Sequence, residues 1–332
     1  IVGGEYGALN ALSYNLDGAA GAEVTQALTR YGVRDGRHNR RLQSRGYYFE
    51  GRVPAIGSTA DMRRELVYTD LGQIRSVAGA RDGSVQSYSY DGMGYLKQAR
   101  SSLGRTLLGG ESYDYDSKGN RRSVSEIMAS GGVGAALQRS GYADGNRIDS
   151  YKTQVVGNDG KPAMQGCEKL AKTSHDGLGR LLIDPSSCKD GKATQYEWNA
   201  EGHLAKVIYG EGSYTELKYD GQGSLIRRIE VEGHTPREDV SYVWQGGTLK
   251  QVRDTQSLRL IQSFNGDGYK TYEYDGYGQL TGTESYLMLK DHQGSVIGIA
   301  DQQGKLREEL GYDPWGNIKQ RFVLNRTTNQ MD

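Results

Sequence analysis

Residues 286–320, YLMLKDHQGSVIGIADQQGKLREELGYDPWGNIKQ, contain the pattern that decides the fold. Two segments of this stretch, Asp301-Gln302-Gln303-Gly304 and Asp313-Pro314-Trp315-Gly316, begin with aspartate, end with glycine and are flanked by alternating apolar and polar residues. Aspartate is favoured at the first position of a four-residue turn, and glycine is favoured where the backbone takes a positive φ. Each segment therefore predicts a β-hairpin with a type I turn, a left-handed glycine and a bulge before the return strand.

The same pattern recurs through most of the chain as the unit Tyr-Asp-x-x-Gly-x-Leu, starting at about residue 65. Its flanks alternate between apolar and polar residues, which is the period expected of β-strands. The residues predicted to form the turns of the clearest copies are Tyr90, Asp91, Gly94, Tyr115, Asp116, Gly119, Tyr219, Asp220, Gly223, Tyr274, Asp275 and Gly278. Weaker copies are predicted at Tyr142–Arg147, His175–Leu181, Trp198–Leu204 and Trp244–Leu249.

The predicted fold class is all-β, with hairpin repeats joined in one long, twisted antiparallel sheet. Each repeat supplies about two strands and cannot bury an apolar face alone, so it must stack on its neighbours. The composition agrees with many strands and tight turns, because the 332 residues include 48 Gly and 24 Tyr but only 3 Phe. We expect the sheet to curl or close, since a long open sheet leaves an aggregation-prone edge.

Charge and hydropathy argue against two broad classes of protein. The chain has 41 basic and 41 acidic residues, so it offers no overall basic field for nucleic acid or anionic lipid. Its mean hydropathy is −0.71, and it contains no apolar run long enough for a transmembrane helix. Because the first residue is Ile1 rather than Met, we expect a processed or excised piece of a longer protein.

Three regions are predicted along the chain. Residues 1–60 form a mixed lead-in segment, with one short helix predicted over Ala19–Tyr31 because Gly32 would end it. Residues 61–283 carry the repeats, and residues 284–332 form a closing core region. Cys167 and Cys188 lie in a polar insert and could form a disulfide, but two cysteines do not define a disulfide scaffold or a metal site.

No catalytic, metal-binding or cofactor-binding residue is predicted. His292 beside Asp291, followed by Gly294 and Ser295, could be interpreted as a base near a nucleophile, but no second activating group is identifiable and the pattern is that of a turn between strands. Aspartates recur in every repeat, and a turn needs one in each copy whereas a glycosidase needs only two carboxylates. Calcium binding at these turns is disfavoured because further carboxylates are missing.

The repeats and the closing stretch resemble the RHS (rearrangement hot spot) superfamily. The Tyr-Asp-x-x-Gly-x-Leu units look like its YD repeats, and they cover about two-thirds of the chain. Residues 286–320 resemble the RHS repeat-associated core, in which an Asp-His-Leu-Gly-Ser segment precedes a Tyr-Asp-Pro-Phe/Trp-Gly segment. Gln293 stands where leucine is commoner, and the residues that carry the resemblance are Asp291, His292, Gly294, Ser295, Tyr312, Asp313, Pro314, Trp315 and Gly316.

This resemblance implies a function by enclosure. RHS proteins build a hollow β-cocoon of YD repeats around a C-terminal toxin domain, as in type VI secretion effectors and Tc toxin C components. The resemblance implies that this chain is part of such a cocoon, acts as a structural shell rather than an enzyme, needs no cofactor and is delivered from a bacterium. In the family a self-cleaving segment follows the core; the sequence stops before it, so no cleavage residue is assigned.

The partners implied by the resemblance are the chain's own C-terminal toxin domain as cargo and, in addition, secretion spike proteins, a chaperone or an immunity protein. Nucleic acid and a stable membrane segment are not expected. A second hypothesis stays open at this point, in which the chain is a secreted or surface-displayed module that recognises a glycan or a cell surface. The many tyrosines would then form a carbohydrate-binding surface, whereas stacking within the sheet is the interpretation that we favour.

Overall fold

The computed structural model describes most of the chain from residue 64 onwards and short segments before it. The described residues are 14–15, 23–24, 27–34, 37–47, 62, 64–79, 83–156, 162–164, 173–189, 192–301 and 305–323. Their regular structure consists of β-strands and a single 3-10 turn at Asp144–Asn146. The predicted all-β class is therefore confirmed.

The strands form a two-stranded sheet and two large antiparallel sheets. The small sheet pairs β1 (Tyr14–Asn15) with β2 (Glu23–Val24). The first large sheet follows the order of the sequence and contains eleven strands: β3 (Ala27–Arg34), β4 (Arg37–Tyr47), β5 (Arg64–Tyr68), β6 (Ile74–Gly79), β7 (Ser84–Tyr90), β8 (Leu96–Leu103), β9 (Thr106–Tyr115), β10 (Arg121–Ile127), β11 (Val133–Tyr142), β12 (Ile148–Val156) and β13 (Pro162–Met164).

The second large sheet is also a meander in sequence order. It contains fourteen strands: β14 (Ser174–His175), β15 (Leu181–Lys189), β16 (Lys192–Trp198), β17 (Leu204–Gly210), β18 (Ser213–Tyr219), β19 (Leu225–Glu232), β20 (Thr235–Gln245), β21 (Thr248–Asp254), β22 (Leu260–Asn265), β23 (Gly268–Tyr274), β24 (Leu280–Lys290), β25 (Val296–Asp301), β26 (Leu306–Tyr312) and β27 (Ile318–Val323). The sequence predicted one long sheet, whereas these strands are divided between two.

The helix predicted within Ala19–Tyr31 is wrong for the residues of this stretch that the structure describes. Glu23–Val24 and Ala27–Arg34 are strands, and Ala27–Arg34 pairs along its length with Arg37–Tyr47. The alanines that suggested a helix are outweighed by pairing with the neighbouring strand, in which Thr29 pairs with Arg45 and Tyr31 pairs with Leu42. Strand formation depends on such cross-strand context more than on the preference of each residue alone.

The chain forms two compact units. Unit 1 comprises Ile1–Ser89, Ala99–Leu108 and Gln262–Asp332, and unit 2 comprises Tyr90–Gln98 and Gly109–Ile261. Because each unit combines segments that are distant in sequence, its core depends on contacts that a repeat pattern alone does not define. The predicted division into a lead-in segment, a repeat region and a closing core region stays a prediction.

The best-buried cluster of unit 1 lies on β24, β25 and β26. On β24 every second residue, Ser285, Leu287 and Leu289, is buried, as the alternation of a strand requires. Leu287 and Leu289 are 0 % exposed. The cluster consists of Met62, Leu287, Leu289, Ile297, Ala300 and Leu306, with Tyr312 packed against it. The closing stretch is thus the centre of a packed core that also takes in a residue from before the first repeat.

Aromatic side chains form a row across three strands of unit 1. The rings of Phe264 and Tyr269 have centroids 6.0 Å apart, and those of Tyr269 and Tyr286 are stacked at 5.2 Å. Burial raises the pKa of Tyr269 from 10.0 to about 12, and the neighbouring Tyr286 and Glu308 contribute to the increase. Burial also raises the pKa values of Tyr90, Tyr115, Tyr196, Tyr219, Tyr242 and Tyr312.

We expect the chain to lose stability in alkaline solution. The folded chain retains the Tyr269 proton to a higher pH than the unfolded chain, so this stabilisation is complete below about pH 10 and is lost as the pH rises towards about 12. Unfolding in guanidinium chloride, measured at several pH values in this window, should show a falling free energy of unfolding. Tyr269→Phe should make the decline shallower, and an unchanged decline would contradict the expectation. The control is Tyr277→Phe, because Tyr277 is 93 % exposed in the folded state.

Candidate functional site: the aspartate–glycine turns and their aromatic contacts

The turn after Tyr219 shows the geometry that the repeats share. The N–H groups of Gln222 and Ser224 both donate to Asp220 Oδ1 at 2.9 Å. The Gly223 N–H donates to the Asp220 carbonyl oxygen at 3.0 Å, and the Asp220 N–H donates to the Ser224 carbonyl oxygen at 3.0 Å. One aspartate therefore closes the turn with its side chain and with both of its backbone polar groups.

The other aspartates of this motif accept the same pair of side-chain hydrogen bonds. The donors lie two and four residues further along, at 2.8–2.9 Å, and the acceptors are Oδ1 of Asp91, Asp116, Asp176, Asp275, Asp291 and Asp313. In addition, the Asn120 amide hydrogen bond holds the pKa of the Asp116 carboxyl below its usual range. The turn aspartates thus serve the backbone of their own hairpins.

The fourth residue of each of these turns has a left-handed backbone. The glycines at this position have φ values from +83° to +91°, and they are Gly94, Gly119, Gly179, Gly223, Gly278, Gly294 and Gly316. The strand register then shifts, so that Tyr219 pairs with Leu225 although its neighbour Lys218 pairs with Arg227. This shift is a second irregularity, at Ile226; the bulge that accompanies the left-handed glycine is formed by Gly223 and Ser224, which both bond to Asp220 through their backbones.

Two of the weaker copies differ from the other turns. In the first, Ala143 donates its N–H to the Arg147 carbonyl oxygen at 2.9 Å, and Asn146 has a φ of +59°. Ala143 and Asn146 therefore occupy the places that aspartate and glycine occupy in the other turns. Asparagine can take this place because its short polar side chain tolerates the left-handed region.

The copy at Trp244–Leu249 is a different kind of turn. Gln245 pairs directly with Thr248, and the two residues between them, Gly246 and Gly247, have φ values of +58° and +73°. Two central residues with positive φ define the type I′ hairpin, which needs no aspartate. Trp244 still directly precedes the turn, as tyrosine does in most of the other copies, although the turn itself is of a different type.

At six of the turns, the aromatic residue before the turn joins its repeat to the preceding one. The donor is a tyrosine hydroxyl or a tryptophan Nε1–H, and the acceptor is the backbone carbonyl oxygen of the residue that follows the previous bulge. The distances are 2.7–2.9 Å, and the pairs are Tyr115 with Leu96, Tyr142 with Arg121, Trp198 with Leu181, Tyr219 with Leu204, Trp244 with Leu225 and Tyr312 with Val296. We call this set of bonds the aromatic ladder.

The aromatic ladder explains a bias in the composition. A ring at this position must carry a hydrogen-bond donor at its far end, which tyrosine and tryptophan have and phenylalanine lacks. None of the 3 phenylalanines of the chain, Phe49, Phe264 and Phe322, directly precedes one of these turns. Sequence reasoning missed the ladder, although the use of Tyr or Trp without Phe at the repeat position was the signal that could have revealed it.

We expect Tyr219→Phe to lower the free energy of unfolding by about 0.5–1.5 kcal/mol, because it removes one hydrogen bond while keeping the ring. The Tyr219 hydroxyl donates to the Leu204 carbonyl oxygen at 2.9 Å and is partly buried. Denaturant unfolding of the variant and of Tyr277→Phe provides the measurement, since Tyr277 is 93 % exposed and lies at a turn tip. Equal effects of the two substitutions would contradict a stabilising role for the ladder.

In unit 2 the turns also pack on one another directly. The Tyr95 ring stacks on Tyr115 with centroids 5.1 Å apart and covers the next turn glycine, so that a Cβ added at Gly119 would lie 2.6 Å from Tyr95 Oη. The residue after the glycine of one turn thus covers the glycine of the following turn. The same arrangement brings Arg147 to Gly179, Arg180 to Gly202 and His203 to Gly223.

The residues of the closing core motif lie at two turns of unit 1, one between β24 and β25 and the other between β26 and β27. Asp291 accepts from the N–H groups of Gln293 and Ser295, and Asp313 accepts from those of Trp315 and Asn317. The Tyr312 hydroxyl, which is part of the aromatic ladder, donates to the Val296 carbonyl oxygen, so the second turn is bonded to the strand that follows the first. His292 and Gly294 lie within the first turn segment, and Pro314 and Gly316 lie within the second.

Two other kinds of feature are absent from the described residues. No group of three or more His, Cys, Asp or Glu side chains lies close enough together to hold a metal ion. No helix among the described residues is long and apolar enough to cross a membrane. Cys167 and the side chain of Cys188 lie outside what the structure describes, so their predicted pairing stays a prediction.

The fold and these contacts define a protein of tandem β-hairpin repeats, six of which are bonded to the preceding repeat through an aromatic residue. Residues 175–321 match the family model described as Teneurin YD-shell. Together with the repeat geometry, this match shows that residues 175–321 are similar to the YD-repeat shells that the family model describes.

Three curated relatives share parts of this sequence. A stretch of 134 residues is 33 % identical to the tRNA3(Ser)-specific nuclease WapA of Bacillus spizizenii, covering 39 % of this chain and 5 % of the relative. A longer stretch is 24 % identical to the toxin protein Tse5 of Pseudomonas aeruginosa, covering 77 % and 21 %. A third is 26 % identical to the double-stranded DNA deaminase toxin A of Burkholderia cenocepacia, covering 34 % and 7 %. The chain therefore spans a small part of each relative.

Proposed function

We propose that this chain is part of the structural shell of an RHS-type bacterial toxin, which encloses and delivers a C-terminal toxin domain that is not part of this sequence. The observation that carries the proposal is that the named relatives match parts of this chain although their names give different activities. One is a tRNA nuclease, one a DNA deaminase toxin and one a toxin protein. A region common to proteins of different chemistry is better suited to a shared scaffold than to any one of the reactions.

The contacts of the repeats support a structural role. The turn aspartates accept hydrogen bonds from backbone N–H groups of their own turns, as Asp220 does. The aromatic residues of the ladder donate to backbone carbonyl oxygens of the neighbouring repeat, as Tyr219 does. Since most repeats contribute the same kinds of bond, the antiparallel sheets can be extended by adding hairpins without new chemistry. We infer that the chain itself is not an enzyme, that it forms part of a hollow β-cocoon and that its principal partner is its own toxin domain.

The experiment that tests this proposal uses the full-length native product of the gene that encodes this chain. Gel filtration under native conditions is followed by mass spectrometry under denaturing conditions. We expect two or more polypeptides that elute together and separate only in denaturant, as a shell with retained cargo requires. A single polypeptide without a further domain would overturn the proposal and favour the glycan-binding or adhesion module.

Protease protection of the same product gives an independent measurement of enclosure. Peptides from the cargo should resist a protease in the native state and become sensitive over the denaturant range in which the β-sheets unfold. A shell destabilised by Leu289→Ala should expose the cargo at a lower denaturant concentration, because Leu289 lies in the buried cluster of unit 1. If the cargo were digested before the sheets unfold, both in the unmodified product and in the Leu289→Ala variant, the shell would not enclose the cargo.

A further inference from the structure

The chain contains a single Asn-Gly dipeptide, Asn265-Gly266. It lies at the two-residue loop between β22 and β23, where Asn265 pairs with Gly268 and Gly266 has a φ of +64°. Asn265 and Gly266 are both exposed. In the part of the chain that the structure describes, the Gly266 N–H donates to no acceptor, as is usual for the first central residue of such a loop, whose N–H lies outside the strand ladder.

We propose that Asn265 is a site of spontaneous deamidation and isoaspartate formation, with water as the co-reactant. The Gly266 backbone nitrogen attacks Asn265 Cγ and loses its proton, the bond from Cγ to Nδ2 breaks and ammonia leaves. The resulting succinimide is then opened by one water molecule at either carbonyl, which gives aspartate or isoaspartate. Glycine favours the attack because no Cβ obstructs the approach and the backbone can reach the required conformation.

The Asp-Gly dipeptides of the repeat turns are protected from the corresponding reaction by their hydrogen bonds. In Asp91, Asp220 and Asp275, Oδ1 accepts two backbone N–H groups from further along the turn. These bonds hold the carboxyl group over the turn, whereas ring closure needs its carbon atom to reach the nitrogen of the next residue. An ionised carboxylate is also a poorer electrophile than the neutral amide of Asn265.

Deamidation at this loop would reach the core strand β24. Asp267, the other central residue of the loop, accepts a hydrogen bond from the Met288 N–H at 2.8 Å through its carbonyl oxygen and pairs with Lys290 Nζ at 2.6 Å through Oδ1. A new carboxylate at residue 265 would add a negative charge to the loop that carries Asp267, and isoaspartate would lengthen the backbone at the pairing with Gly268. The aged chain is therefore expected to unfold at a lower denaturant concentration than the fresh chain.

The test incubates the folded 332-residue chain at mildly alkaline pH and locates isoaspartate by isoaspartyl methyltransferase labelling and peptide mapping. We expect residue 265 to carry most of the label and Asn265→Gln to abolish it. The matched variant Asp275→Asn places an Asn-Gly dipeptide in a hydrogen-bonded turn. It therefore separates the effect of the turn hydrogen bonds from the effect of replacing a carboxylate by an amide. We expect residue 275 of this variant to be labelled much more slowly than residue 265.

Incubation in denaturant completes the test, because it removes the hydrogen bonds of the turn but leaves the intrinsic reactivity of the Asn-Gly dipeptide unchanged. Residue 275 of the Asp275→Asn variant should then be labelled as fast as Asn265. Equal labelling of the two residues in the folded protein would overturn the role of the hydrogen bonds. Absence of label at Asn265 in the folded chain, together with ready labelling in denaturant, would overturn the proposed site.

Discussion

Replacing Leu289 by alanine is expected to lower the free energy of unfolding by about 2–5 kcal/mol, the range found when a fully buried leucine is truncated and its surroundings relax only in part. Leu289 is 0 % exposed and belongs to the cluster that joins β24, β25 and β26 with Met62. A cavity at this point would weaken contacts between strands and also the contact with a residue that precedes the first repeat. We therefore expect the whole of unit 1, rather than one hairpin, to lose stability.

The matched control for this substitution is Leu280→Ala on the same strand. Leu280 is 54 % exposed, so its truncation removes little buried surface and should change the free energy of unfolding much less than the truncation of Leu289. Guanidinium unfolding monitored by circular dichroism measures both variants, and hydrogen exchange of the β24 amides shows where the loss occurs. Equal losses for the two leucines would contradict the placement of the core.

The turns are the part of the structure that sequence reasoning describes best. All the hydrogen bonds of the Asp220 turn join groups within five consecutive residues, so a short sequence contains the information that defines them. The copies that form other turns, at Ala143–Asn146 and Gln245–Thr248, are those in which different residues replace aspartate and glycine. A left-handed asparagine and a pair of glycines reach a hairpin by other routes.

Contacts between repeats could not be predicted in the same way. The Tyr219 hydroxyl finds the Leu204 carbonyl oxygen fifteen residues away, and this distance depends on the length and twist of two strands that the turn motif does not specify. The burial of Met62 in the core of unit 1 depends on contacts across more than 200 residues. The wrong helix prediction within Ala19–Tyr31 has a related cause, because pairing with Arg37–Tyr47 outweighs local preference.

The direct packing of one turn on the next suggests that the repeats of unit 2 are coupled at their turns as well as through their strands. Gly119 and Gly223 have two constraints, since φ is positive and an added Cβ would lie 2.6 Å from Tyr95 Oη at Gly119 and 3.1 Å from His203 Nε2 at Gly223. Other turn glycines have the first constraint alone, and a Cβ at Gly294 or Gly316 would meet nothing within 4 Å. The two groups therefore allow the effect of turn-on-turn packing to be measured separately from backbone strain.

Replacing Gly119 by alanine is expected to lower the free energy of unfolding by about 2–5 kcal/mol. About 1–2 kcal/mol comes from placing a Cβ in the left-handed region, and about 1–3 kcal/mol comes from overpacking against the Tyr95 ring, which must leave its stack on Tyr115.

The control for this substitution is Gly316→Ala, which has the same φ of +85° but an open surrounding. Its free energy of unfolding should fall only by the part that comes from placing a Cβ in the left-handed region. Denaturant unfolding gives the difference between the variants, and Tyr95→Ala in the Gly119→Ala background should recover part of it by removing the clash. Equal losses at Gly119 and Gly316 would mean that the contact between turns contributes nothing, and that only the strand ladder and the aromatic ladder couple the repeats.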